Sequence, residues 1–212
     1  IYSNSCEVPG ALYEVFPVIH NGGHPMYYHA SPIKALNILT PHTSNHGSPL
    51  LYLSAKRENT HPYLSNAIEL YGKRSGKFPE GPYHKWASYG FTGEGILRLE
   101  EYYPNAAEET YKGISGYIYT IAPSPDIKKQ QDIPYAYTSE YSMPPVSCEY
   151  IPDAYEAILT AARDHKIIIQ KYEDNSVSKL QWIEKTIKEQ FIHTQRPEYK
   201  AFLQAKFPFL QD

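Results

Sequence analysis

Between residues 26 and 55 the chain passes twice through one pattern: a short aromatic and aliphatic burst that stops at small residues. Met26-Tyr27-Tyr28-His29-Ala30-Ser31 is the first pass and Leu50-Leu51-Tyr52-Leu53-Ser54-Ala55 the second. Such runs, bounded by Pro, Gly, Ser and Asn, predict strands over 26–30 and 50–54. A two-residue period puts Tyr52 and Ser54 on one face of the second strand. The first strand ends in one polar ring, His29, followed by Ala30 and Ser31.

Downstream the period changes several times. Pro32, followed by Ile33, Leu36, Ile38 and Leu39, predicts a helix start. Residues 40–49 read as a loop. Thr60-His61-Pro62 opens a helix with Leu64, Ala67, Ile68 and Tyr71 at 3–4 spacing. Residues 72–95 carry many Gly and Pro together with Phe78, Tyr83, Trp86, Tyr89 and Phe91, the composition of a packed surface excursion. Residues 96–103 are short and ambiguous. Gly116–Ile121 is a strand stopped by Ala122-Pro123, and 137–141 and 146–151 are two strand pieces parted by Pro144-Pro145. After that the pattern turns helical. Asp153 can N-cap a helix over 154–164 with Tyr155, Ile158, Leu159 and Ala162 on one face. Ile167-Ile168-Ile169 is a buried strand or an extended crossing, and amphipathic helices follow over 178–194 and 197–207. Residues 1–25 are irregular, with one short element over 11–19. The expectation is an α+β domain over 1–152 and a mostly helical extension over 153–212 packed on it.

Bulk properties narrow the partners. With 212 residues the chain can bury a sizeable core, and a net charge of −3 gives no general reason to expect a nucleic-acid or membrane partner. No apolar run reaches the ~20 residues of a membrane span. No leader is visible, although the chain starts at Ile1 and an upstream segment is not excluded; a cytoplasmic location is expected. Cys6 and Cys148 exclude a disulfide scaffold; two free thiols are the expectation and one bridge the alternative. Tyrosine stands out, 21 of 212, a residue that stacks flat ligands while keeping a hydrogen-bonding tip.

These positions carry a resemblance. Tyr28-His29-Ala30-Ser31 resembles the Tyr-His-Gly-Thr/Ser motif of the ADP-ribosyltransferase fold, in the branch marked by His, Tyr and Glu that includes poly-ADP-ribose polymerases and diphtheria-like toxins. Leu51-Tyr52-Leu53-Ser54 resembles its second motif, and Tyr63 stands at the family's eleven-residue spacing after Tyr52. Ser139-Glu140-Tyr141, with Pro145-Val146 and Tyr150 behind it, resembles the third, which carries the catalytic acid. Gly116–Pro123 is also similar to the Tyr-Ile-Tyr strand of the rifamycin ADP-ribosyltransferases, whose third residue is an Asp in the following loop, where Asp126 and Asp132 stand here. The resemblance covers roughly 26–151. It departs at Ala30, where the family usually has Gly.

The resemblance implies split antiparallel sheets and an NAD-dependent mono-ADP-ribosyltransferase with NAD as substrate and no metal. Cleavage of the nicotinamide–ribose bond passes through an oxocarbenium-like state, as in glycoside cleavage. The implied catalytic set is Glu140, His29 and Tyr52, with Asp132 as alternative acid. Glu140 would stabilise the developing positive charge. Tyr52 and Tyr63 would hold the flat, cationic nicotinamide. His29 would bond a ribose hydroxyl, Ala30 and Ser31 would contribute backbone contacts, and Ser54 would orient the amide or the acid. The acceptor is open: a protein, a nucleic-acid end or a small molecule, with 72–95 the expected acceptor-facing surface. The oligomeric state is open as well. The alternative is a module on the same fold that binds NAD, ADP-ribose or a protein without turnover. His20, His24, His29, His42, His46 and His61 crowd the first third, but no His-Glu-x-x-His pattern occurs, so no metal site is expected. Neither a Gly-x-Ser-x-Gly elbow nor a phosphate loop is present.

Overall fold

A computed structural model describes residues 26–43, 47–86 and 88–211. In chain order the elements are β1 (Tyr27–Ser31), β2 (His42–Thr43), β3 (Pro49–Ser54), a 3-10 segment Arg57–Leu64, α1 (Ala67–Ser75), β4 (Tyr89–Phe91), β5 (Leu97–Glu100) and α2 (Ala106–Tyr111). Then come β6 (Gly116–Ile121), β7 (Lys128–Lys129), β8 (Ala136–Ser139), β9 (Ser147–Ile151), α3 (Ala154–Arg163), β10 (Ile167–Gln170), α4 (Val177–His193) and α5 (Pro197–Lys206). The fold is α+β. One antiparallel sheet runs in the order β7-β8-β3-β1-β6-β9, with β2 on β3; a second runs β10-β5-β4.

β6 lies between β1 and β9 and is paired along both edges. Ile118 on one of its faces and Tyr119 and Ile121 on the other are buried, as a central strand covered on both faces requires. One face of the sheet packs Leu39, Leu51, Leu53, Tyr119, Ile121, Met143 and Cys148. The other packs Ala30, Leu64, Ile118, Ile151 and Ala154, so the 3-10 segment and the start of α3 cover it. Gly116 is required where that cover is tightest. A Cβ there would stand 2.6 Å from Leu64 Cδ2 and 3.1 Å from the Ser31 carbonyl oxygen. Gly116→Ala is expected to cost about 1–3 kcal/mol by overpacking; equal urea stability of variant and parent would contradict this close approach.

Several expectations are corrected. No helix follows Pro32. Ser31 Oγ accepts the Ile33 N–H, while the Tyr119 hydroxyl donates to the Ile33 carbonyl and accepts from the Leu36 N–H. Those bonds satisfy backbone groups that a helix would otherwise use. The helix expected over 60–71 is two elements. Ser65 is extended, and Asn66 caps α1 while its side chain also holds the His84 carbonyl and the Trp86 N–H. Of the two expectations for Ile167-Ile168-Ile169 the strand is the one that forms: β10 pairs in parallel with β5 from Ile167↔Leu97 to Gln170↔Glu100. The buried Glu101 carboxylate fastens this junction, accepting the Ala107 and Tyr172 N–H groups and Lys171 Nζ. The helix after Asp153 forms as expected: Asp153 Oδ1 accepts the Tyr155 and Glu156 N–H groups at 2.8 and 3.2 Å. Cys148 is disulfide-bonded and not a free thiol; the other cysteine, Cys6, lies outside the described residues.

Candidate active site

The three motifs stand on neighbouring strands, since β8, β3 and β1 are adjacent in the sheet. β1 is paired with β6 over its whole length, but its ladder with β3 is limited to Tyr28↔Ser54. Beyond that pair the two strands part, and the His29 imidazole bridges them: Nδ1 lies 2.8 Å from the Tyr52 carbonyl oxygen. A carbonyl oxygen only accepts, so Nδ1 carries the proton. Burial lowers the His29 pKa, the bond to Tyr52 opposes that, and His42 lowers it further. A neutral ring protonated at Nδ1 leaves Nε2 as an acceptor, the form suited to receiving a hydroxyl proton.

Cross-strand partners share a face. Tyr28↔Ser54 and Tyr52↔Thr138 therefore put Tyr28, Tyr52, Ser54 and Thr138 together. His29, opposite Tyr119, starts from the other face. Ala30 is buried beside Leu64 and Ile118. Ser31 and Ser54 are buried, and each hydroxyl accepts an N–H two residues on, from Ile33 and Lys56. Each hydroxyl retains its own proton to donate. Tyr52 is 38% exposed.

Glu140 follows β8 directly. Ser139 is opposite Leu51, so Glu140 leaves the sheet two residues, roughly 7 Å, past the position facing Tyr52. It is exposed, in a turn closed by its buried neighbour. Ser139 Oγ accepts the Tyr141 N–H at 3.0 Å and lies 3.2 Å from the Tyr141 carbonyl. A Ser at the base of a tight turn is a readable signal, yet the sequence reading gave Ser139 no role. Asp132 is exposed in the 130–135 loop; Asp126 is likewise exposed and bonded to Ser124.

Tyr63, on the 3-10 segment, is 55% exposed, and its hydroxyl lies 2.6 Å from that of Tyr89. Desolvation by the packed neighbours, then Tyr89, push its phenol well above the ordinary tyrosine range. The same segment carries Arg57, whose guanidinium forms a two-pronged bond to Glu149 at 2.7 Å per prong. His61 lies beside it, 1% exposed, with Nε2 3.3 Å from Arg57 Nη1 and Nδ1 without a partner among the described residues. Burial, then Arg57, lower the His61 pKa to about 4. This cluster was not foreseen, because it joins residues 57 and 149. Among the described residues no group of three His, Cys, Asp or Glu side chains is disposed to hold a metal; His20, His24 and His46 lie outside them.

Comparison with protein-family models, with curated proteins and with solved structures gives no match.

Proposed function

We propose that the chain is an NAD-dependent ADP-ribosyltransferase that cleaves the nicotinamide–ribose bond and passes ADP-ribose to an acceptor. The observation that carries this reading is the parting of β1 from β3, bridged by the His29–Tyr52 bond. In this reading a flat carboxamide meets the Ala30 backbone on the edge that β3 leaves unpaired. Exposed tyrosine rings at 52 and 63 stand on the elements around it. In this reading nicotinamide lies against those rings and a ribose hydroxyl donates to His29 Nε2. The Glu140 carboxylate faces the carbon where positive charge grows. Nicotinamide leaves with the bonding electrons; the acceptor then bonds that carbon and loses its proton. The acceptor class stays open among protein, nucleic-acid end and small molecule.

Ala30 favours the second reading, a module that binds NAD or ADP-ribose without turnover, because its methyl occupies the place of the usual glycine. Incubation with nicotinamide-labelled NAD separates the two. Nicotinamide release above background supports the transferase, saturable binding without release supports the module, and the absence of both overturns both readings. No described helix is long and apolar enough to cross a membrane. The Cys148 disulfide supports an oxidising location over the cytoplasmic one expected.

A further inference from the structure

The second sheet reaches Tyr63 through Tyr89. Tyr89 is paired with Leu99 across β4 and β5, and its ring packs on the core of Leu97, Leu99, Ile158 and Ile167. Its hydroxyl meets that of Tyr63 at 2.6 Å, with the rings edge to face, 6.0 Å between centroids and 73° between planes. On its other side Tyr89 stands edge to face with Phe91 at 6.4 Å. The backbone just before Tyr63 is held too, since the Tyr111 hydroxyl donates to the Pro62 carbonyl at 3.3 Å. A half-exposed tyrosine on a short 3-10 segment would otherwise sample several rotamers, and ordering it on ligand binding would cost affinity.

We propose that Tyr89 is a positioning residue for NAD: its hydroxyl locks the Tyr63 ring in the orientation that receives the nicotinamide face. This rests on the NAD-binding reading above. It assigns the small sheet a part in ligand affinity, beyond covering the core. Tyr89 touches Tyr63 and not the reacting atoms, so its loss should weaken binding and leave turnover of bound NAD nearly unchanged.

The test is a double-mutant cycle on the NAD dissociation constant by calorimetry, with Tyr63→Phe, Tyr89→Phe and the double variant, and thermal midpoints measured alongside. Tyr63→Ala serves as reference for loss of the platform. Each Phe variant keeps its ring and is expected to weaken NAD binding about 2- to 10-fold, the factor of one hydrogen bond. The double variant is expected to be no worse than either single one, because both remove one shared bond. Additive effects, or unchanged affinity in Tyr89→Phe while Tyr63→Ala loses binding, would overturn the positioning role alone. A parent protein that binds no NAD would overturn the NAD reading and this role with it.

Discussion

Replacing Glu140 with glutamine is expected to lower nicotinamide release from NAD by about 10²–10³-fold while NAD affinity stays within a few-fold. A group that acts on charge present only in the transition state contributes to the rate step and little to ground-state binding. Glutamine keeps the shape and reach of the side chain, removes the negative charge and turns one acceptor oxygen into a donor amide. Asp132→Asn is the companion variant. Glu140 emerges from the buried, hydrogen-bonded base of Ser139, whereas Asp132 sits on an exposed loop. The backbone that carries Glu140 is set by the Ser139–Tyr141 turn at the end of β8, beside the strand of Tyr52, so Asp132→Asn is expected to retain most activity. Full activity in Glu140→Gln would remove that residue from the chemistry, and collapse in Asp132→Asn alone would move the acid role there.

The second large effect concerns stability in acid. His61 is buried, accepts at Nε2 from the Arg57 guanidinium, and has its pKa lowered to about 4 against an ordinary 6.5. Unfolded, it takes a proton near pH 6.5; folded, it resists until about pH 4. The unfolded chain therefore binds more protons across that window, and the contribution present in full above pH 6.5 is lost as pH falls toward 4. The gap corresponds to roughly 3 kcal/mol. Arg57 and Lys166 oppose protonation, while Glu58 and Glu149 favour it, and burial outweighs all four. His61→Gln can still accept from Arg57 but does not titrate. Urea unfolding at pH 7, 5.5 and 4 should show the parent losing more stability than His61→Gln. A pH-independent difference between the two would contradict the assignment. His29 and His84 also have lowered pKa values, so a milder acid slope is expected to persist in the variant.

The site lies on elements of different legibility. Tyr52 and Glu140 fall on or beside strands whose local pattern is strong, and Tyr52–Tyr63 is a spacing that can be counted. The His29 tautomer is another matter. It depends on which carbonyl the ring meets, and that carbonyl is 23 residues away. Tyr89 reads in the sequence as one aromatic among several in a Gly-rich excursion. Its part emerges only when β4 pairs with β5 and meets the 3-10 segment.

The sequence by itself determined the elements whose boundaries and burial are written in adjacent residues. β6 is an apolar run between Gly and Pro, and α3 has its cap, its stripe and its length within a dozen positions. Tertiary structure alone decided the outcomes where local signals were outbid. Pro32 opens no helix because the Tyr119 hydroxyl, 86 residues from Ile33, satisfies the backbone there. Ile167–Gln170 reads as a strand in the sequence, but its partner, the parallel edge of Leu97–Glu100, does not. In each case the deciding hydrogen bond closes a long loop. Such a bond forms only once the rest of the chain has ordered around it, so no window of sequence contains it.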